Sequence, residues 1–280
     1  MKKLKFLALS AVVATMVASC QKEEITDTTT VESVTLTKAQ QDALILAGVN
    51  PENAEITDIN FLDGTSKKMI KSGDILLNPN LEDLAKQALS IDSETGNKQF
   101  RTNNLVTGVN RTVDILGFTG AGNALTSKMQ TALQWAVNNY NSLGNSLIFR
   151  LTFGTNFEAA DMVVFNNNQG GGGGSAGFPS GGRPNKFIQI NAGTDSFSTN
   201  VVEHVITHEI GHSVGFRHQD WTSRQSCGQN SNEGTAGVGA IQIGSTPTSD
   251  TADSIMLACF GPNEDGEFTS TDIQALNILY

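Results

Sequence analysis

His208-Glu209-Ile210-Gly211-His212-Ser213-Val214-Gly215-Phe216-Arg217-His218-Gln219-Asp220 holds three of the four histidines in a chain of 280 residues. On a helix, His208 and His212 stand four residues apart and project from one face, about a turn from each other. Two imidazole nitrogens so placed can bind a single Zn²⁺ at roughly 2.0–2.1 Å each. Gly215 falls where such a helix has to stop, because glycine takes a positive φ without the Cβ clash of other residues. The turn can bring His218 back to the same point as a third ligand, leaving a fourth position for water. Glu209 follows the first ligand and points toward that open side, where a carboxylate can take a proton from the water. HExxH alone turns up in ordinary amphipathic helices; the glycine and third histidine at fixed spacing make this pattern specific.

HExxHxxGxxH resembles the zinc signature of the metzincin clan of metallopeptidases. The fuller wording HEIGHSVGFRHQD resembles the dual-action HEIGH metallopeptidases, and a looser likeness runs from about Gln99 to the C-terminus. The resemblance implies an α+β fold: a metzincin-like, two-lobed zincin catalytic domain with a twisted mixed sheet, an active-site helix and a small C-terminal lobe with a final helix. A small N-terminal pro- or accessory segment would precede it. It also implies a zinc-dependent endopeptidase acting on protein or peptide substrates, with one catalytic Zn²⁺ on His208, His212 and His218, and Glu209 as general base. Within Ser254-Ile255-Met256, Met256 fits the Met-turn as an apolar floor under the imidazoles. Ala258 stands where some metzincins carry a tyrosine ligand, and the chain's tyrosines are Tyr140 and Tyr280 alone.

His204 also has ligand spacing to His208, but Val205 follows it, so that pair lacks a base; it reads as a histidine packing near the site. Asp220 reads either as an acceptor for a ligand histidine or as an anchor for the turn. A rival reading is a non-enzymatic surface lipoprotein, an adhesin or binding module with a zinc site. Structural zinc sites usually close the shell with four protein ligands, whereas this motif offers three and a base.

Met1-Lys2-Lys3-Leu4-Lys5 is a basic start, and Phe6 to Val17 is apolar but too short to span a bilayer, the form of a secretory signal. Val17-Ala18-Ser19-Cys20 resembles a bacterial lipobox, which makes Cys20 the lipidated residue and implies a lipid anchor in a membrane. Gln21-Lys22-Glu23-Glu24 resembles an export tag of Bacteroidetes-type lipoproteins, so the expected location is the outer membrane or cell surface of a Gram-negative bacterium. Cys227 and Cys259 remain, in a compartment that permits a disulfide between them. Eighteen basic against 28 acidic residues, a net charge of −10, argue against nucleic acid as a partner. A monomer is expected.

The boundaries read as a signal peptide over 1–19, a tether over 20–30, a propeptide or accessory domain over 31–98 and a zinc metallopeptidase domain over 99–280. Helical patterning at Lys38–Ala47 and Leu81–Leu89 brackets extended pieces such as Asp74–Leu77, and a polar linker follows from Asp92 to Arg101. Gly73-Asp74 resembles the short Gly-Asp motif of astacin-like propeptides, whose aspartate binds the zinc and blocks the water. Asp74 would then be a latency ligand and the chain a zymogen; a plain turn is the competing reading. Further on, Arg111–Phe118, Leu147–Phe153 and Asp161–Asn166 read as strands, and Leu125 to Tyr140 as an amphipathic helix. Gly170–Gly174 opens a mobile loop, with a cleft border or a structural Ca²⁺ held by its carbonyls as further options. Lys186–Asn191 reads as a strand; the resemblance to metzincins implies that it edges the cleft and pairs with substrate, with an internal sheet strand as the competing reading. The active-site helix is expected over Thr199–Val214, and a last helix is expected to be capped by Thr269 or Ser270 through Asp272.

Overall fold

Strand-forming stretches between Thr112 and Ile190, separated by a helix and loops, build one mixed sheet in the computed structural model. The structure describes residues 35–52, 54–87, 99–230, 240–246 and 252–280. The signal, Cys20 and most of the linker lie outside the described residues. Among those described, no helix is long and apolar enough to cross a membrane.

In chain order the elements are α1 (Lys38–Leu46), β1 (Ala54–Asn60), β2 (Ser66–Ser72), β3 (Ile75–Leu77), α2 (Leu81–Ala85), β4 (Phe100–Arg101), β5 (Thr112–Phe118) and α3 (Ser127–Ser142). There follow β6 (Ile148–Gly154), β7 (Met162–Asn166), β8 (Gly174–Ser175), β9 (Phe187–Ile190), α4 (Thr199–Val214), β10 (Phe216–Arg217), β11 (Ile241–Gln242) and α5 (Ser270–Leu279). The large sheet has the order β6-β5-β7-β9-β8; its strands are parallel except β8, which runs antiparallel to β9. Val113, Ile115, Met162, Val164, Ile188 and Ile190 point to the face covered by α3 and α4. Their neighbours Leu116, Phe118, Val163 and Phe165 point to the other. A parallel sheet is apolar on both faces and needs both covered. The back face is closed partly by Phe157 and partly by Leu62 in the β1–β2 hairpin, with Phe61 edge-on to Phe187 at 5.3 Å.

Three sequence expectations change here. Lys186–Asn191 is internal to the sheet rather than its edge, because Gly174 and Ser175 pair outside it with Ile190 and Gln189. The glycine run read as a mobile loop therefore supplies the edge strand. Gly174 can do so because a Cβ there would lie 2.7 Å from the Gln189 carbonyl and 2.9 Å from the Glu209 side chain. Helix α2 stops at Ala85, earlier than its apolar spacing suggests, and Gln87 beyond it bonds to the Pro179 carbonyl.

The antiparallel sheet β1-β2-β3 belongs to the same compact unit as the rest. Its core residues Leu44, Ile70, Ile75, Leu77 and Leu84 share a cluster with Phe178. Arg217 is buried beneath, stacked over the Phe178 ring at 5.4 Å and donating to the Ala47 carbonyl at 3.3 Å. A second small sheet, β10-β4-β11, clips the residues after the active-site helix to Phe100 and Arg101.

On the flank of α4 away from the histidines, the Glu203 carboxylate is buried and accepts from Asn139 at 2.9 Å. Gly266, at φ +82°, passes so close that a Cβ would sit 2.8 Å from that carboxylate. Burial, followed by the charges of Glu267 and Asp265, pushes the Glu203 pKa from 4.5 up to about 8, against the opposing pull of the Asn139 bond. Between those values the folded chain holds a proton that the unfolded chain has released, so stability falls as pH rises across that window. Glu203→Gln keeps the acceptor and removes the ionisation. Its melting temperature is expected to match that of the parent near pH 4.5 and to exceed it increasingly toward pH 8; a constant difference across pH would refute this.

Candidate metal centre

Ser198 caps α4 by accepting from Val201 N, and the helix runs to a C-cap at Gly215 with φ +115°. No other residue fits there: a Cβ would meet Leu105 at 2.8 Å and the Asn104 carbonyl at 2.9 Å. From the cap the chain pairs as β10 with β4, which turns His218 back toward the helix. The Nε2 atoms of His218 and His212 are 3.1 Å apart, and those of His218 and His208 are 3.3 Å apart.

Those separations test whether a metal fits. His208 Nδ1 faces the Ile255 carbonyl at 2.6 Å and His212 Nδ1 faces the Phe216 carbonyl at 2.9 Å. A carbonyl can only accept, so each Nδ1 carries a proton and each Nε2 is turned inward to the common point. Burial, then the neighbouring His208 and His218, hold the His212 pKa well below its usual value, so its ring is neutral. Nε2 atoms 3.1 and 3.3 Å apart have the spacing of ligands on one ion, since about 3.3 Å is the edge of a tetrahedron with 2.0–2.1 Å bonds.

Asp74 completes the group. Its Oδ2 lies 3.1 Å from His218 Nε2 and 3.4 Å from His208 Nε2, and its Oδ1 lies 3.9 Å from His212 Nε2. The four ligand atoms sit within 4.8 Å of one another. Burial by itself would raise the Asp74 carboxyl, but the charge of His218 and bonds from His208 and His218 outweigh it and hold the pKa well below the carboxylate range. Glu209 lies beside the group with 2% exposure, and its Oε2 has no hydrogen-bond partner among the described residues. Burial, then the charge of Asp74, pushes its pKa well up.

His204 lines the same cleft but stays out of the ligand group, its Nδ1 3.9 Å from Glu264. Asp220 accepts from Ala258 N at 3.0 Å and from the backbone and hydroxyl of Ser226 at 2.9 and 2.7 Å. It thus anchors the turn that Cys227 and Cys259 join by a disulfide. The sequence reading gave Asp272 only a capping role. Asp272 indeed closes a capping box with Thr269, but it is buried and also accepts from Gln99 (2.8 Å), Ser254 Oγ (2.6 Å) and Ile255 N (3.2 Å). Ile255 is the residue whose carbonyl orients His208, so one carboxylate fixes both the final helix and a ligand ring. A capping-box position gives no hint of bonds to residues this far away in sequence.

Met256 sits in the turn at Ser254–Leu257, its carbonyl accepting from Gln219 N at 2.6 Å. Its sulfur presses on α4 at Gly211, where a Cβ would be 2.5 Å away. Gly211 therefore forgoes about 1 kcal/mol of helix propensity for that approach. Gly211→Ala is expected to destabilise the fold by about 1–2 kcal/mol, an overpacking cost exceeding the helix gain. Thermal melts read the change, and Met256→Ala in the same chain should recover part of the loss. A stabilised single variant would contradict the contact.

Residues 80–280 match the family model described as dual-action HEIGH metallopeptidase. Two structures of myroilysin are similar to the chain at 13% sequence identity, covering 62% of it and 82% and 86% of theirs, with TM-scores of 0.40 and 0.39. No curated protein matches the chain in sequence. With a family model spanning well over half its length, the chain belongs to the dual-action HEIGH metallopeptidases.

Proposed function

We propose that the protein is a zinc-dependent endopeptidase held latent by its own residues 66–77, with Asp74 in the place that the catalytic water needs. The observation that carries this reading is the Asp74 carboxylate lying 3.1 Å from His218 Nε2 and beside the unpartnered Glu209. Three imidazoles and one carboxylate oxygen form a donor set that suits zinc. When bound, zinc acts as a Lewis acid, polarising the scissile carbonyl and lowering the pKa of water at the open position.

The remaining chemistry belongs to the chain. Glu209 takes the proton of the attacking water and delivers it to the leaving amine. While Asp74 is in place, its charge adds to burial in raising the Glu209 pKa, which favours the protonated form over the base. Departure of Asp74 removes that charge and opens a position to water together. Ile255 and Phe216 carbonyls keep the His208 and His212 rings aimed throughout.

Endopeptidase action is supported by how the latent segment lies. It crosses the centre as an internal stretch, with β2 before Asp74 and β3 after it. It pairs with the edge: Leu76 N donates to the Ala176 carbonyl at 2.8 Å, and Ala176 N donates to the Asp74 carbonyl at 3.0 Å. A substrate strand can use the same backbone groups, with affinity from main-chain bonds and preference from side-chain pockets.

Glu209→Ala is expected to keep its zinc while turnover of a casein or peptide substrate drops by roughly 10²–10⁴-fold, the usual worth of a positioned base. Metal analysis beside the assay checks both halves, and undiminished proteolysis would refute the scheme. Asp74→Ala in the unprocessed chain is expected to give activity without any cleavage of the chain. If that variant is as silent as its parent, Asp74 is not the latch.

A further inference from the structure

Beside Glu209 the cleft deepens into a cavity of about 320 Å³ between Gly172–Gly174 of the sheet edge, His204 and Val205 of α4 and the segment Leu257–Phe260. Val205, Leu257, Ala258 and Phe260 give its wall an apolar stretch, and the three glycines give it bare backbone. The Phe260 ring meets Phe197 edge-on at 5.8 Å and lies 6.2 Å from the His204 ring. A Cβ on Gly172 would come within 3.2 Å of Phe260, so glycine there leaves the ring its place.

His204 is the exception in this wall. It is 3% exposed, yet no hydrogen bond reaches its ring from any described residue. Oε2 of Glu264 stands 3.9 Å from its Nδ1, beyond hydrogen-bond reach, while the other Glu264 oxygen accepts from Gly261 N at 2.7 Å. Burial, then the His208 ring, lowers the His204 pKa to about 3, so the imidazole is neutral and keeps one donor and one acceptor. Buried polar groups are seldom left unmatched, because desolvation without a partner costs free energy. His208, one turn further along α4, divides its nitrogens between the Ile255 carbonyl and the metal centre. The His204 ring is engaged by neither.

Resting on the peptidase reading above, we infer that this cavity takes the side chain of a substrate tyrosine next to the scissile bond, its hydroxyl bonded to His204. A phenol joins an apolar ring, suited to Val205, Leu257 and Phe260, to a polar tip that both donates and accepts. It therefore satisfies a neutral imidazole in either tautomer. Phenylalanine fills the same space and leaves that imidazole buried without a partner. Serine and threonine carry the hydroxyl but lack the apolar surface. A site that bonds a substrate hydroxyl discriminates against the analogue lacking it more sharply than an apolar pocket discriminates by size.

The test uses the zinc-loaded full chain, in its parent or Asp74→Ala form, whichever cleaves. Fluorogenic peptides carry Tyr or Phe on one side or the other of the scissile bond and are otherwise identical, and kcat/KM is compared within each variant. The Tyr peptide is expected to exceed its Phe counterpart by about tenfold at one of the two positions, the usual worth of one neutral hydrogen bond. His204→Leu removes both polar atoms at similar size and should bring that ratio to about one by slowing the Tyr peptide, with the Phe rate kept. A histidine that only supports the helix would lower both rates together and leave their ratio as it was. His204→Gln, for the case in which leucine does not fold, moves the polar atoms and should lower the ratio severalfold. Equal rates for Tyr and Phe at both positions in the parent, or an unchanged ratio in the His204 variants, overturn this inference while the peptidase reading stands. Absence of cleavage of every peptide overturns that reading and this inference with it.

Discussion

Three imidazoles bring their Nε2 atoms to one point, and the rest of the catalytic architecture serves that unfavourable convergence. Without a cation the arrangement is repulsive, so each ring has to be braced from behind. Ile255 and Phe216 carbonyls brace two of them, and each carbonyl is itself held. Ile255 belongs to the turn gripped by Asp272, and Phe216 belongs to a strand clipped to residue 101. Gly211 and Gly215 exist in the motif for reasons of space, one for the methionine sulfur and the other for a left-handed cap with no room for a Cβ. A cofactor site of this kind distributes its cost through the packing around it.

The N-terminal segment answers the same electrostatic demand. A buried carboxylate costs desolvation, and Asp74 tolerates it because two facing histidine nitrogens offset the penalty. The segment does more than deliver one ligand. Its hairpin covers the back of the sheet through Phe61 and Leu62, its core shares Phe178 with the catalytic region, and Arg217 reaches into it at Ala47. Latency and the covering of apolar surface are therefore physically linked: whatever lifts Asp74 from the centre also strains contacts on the opposite side of the sheet.

Much of this was legible in the chain. The active-site helix ran from Thr199 to Val214, ending at the glycine that marked its stop, and the amphipathic spacing from Leu125 to Tyr140 gave a helix whose Met129, Leu133 and Val137 enter the core. Local rules suffice where a segment's partners are its own neighbours. The sheet edge was misread for the converse reason. Phe187–Ile190 has stronger β-formers than Gly174–Ser175, and propensity ranks the stronger strand without saying which one lies outermost. Edge position is decided by which backbone is left to pair, and glycine served there because Glu209 and the Gln189 carbonyl crowd that face.

By itself the sequence determined the ligand types, their order, the helix that spaces two of them and the glycine that ends it. Each is set by covalent spacing and by backbone conformations open to individual residues. Tertiary structure alone decided that Asp74, 134 positions before His208, meets the same point in space. It also decided that Asp272 steers a histidine through Ile255 and that His204 lines the cavity beside Glu209. Those pairings follow from how sheet, helix and turn stack once both faces of the sheet are buried. Hydrophobic burial sets that stacking, and its non-directional pull leaves no signature in the local pattern of any one segment.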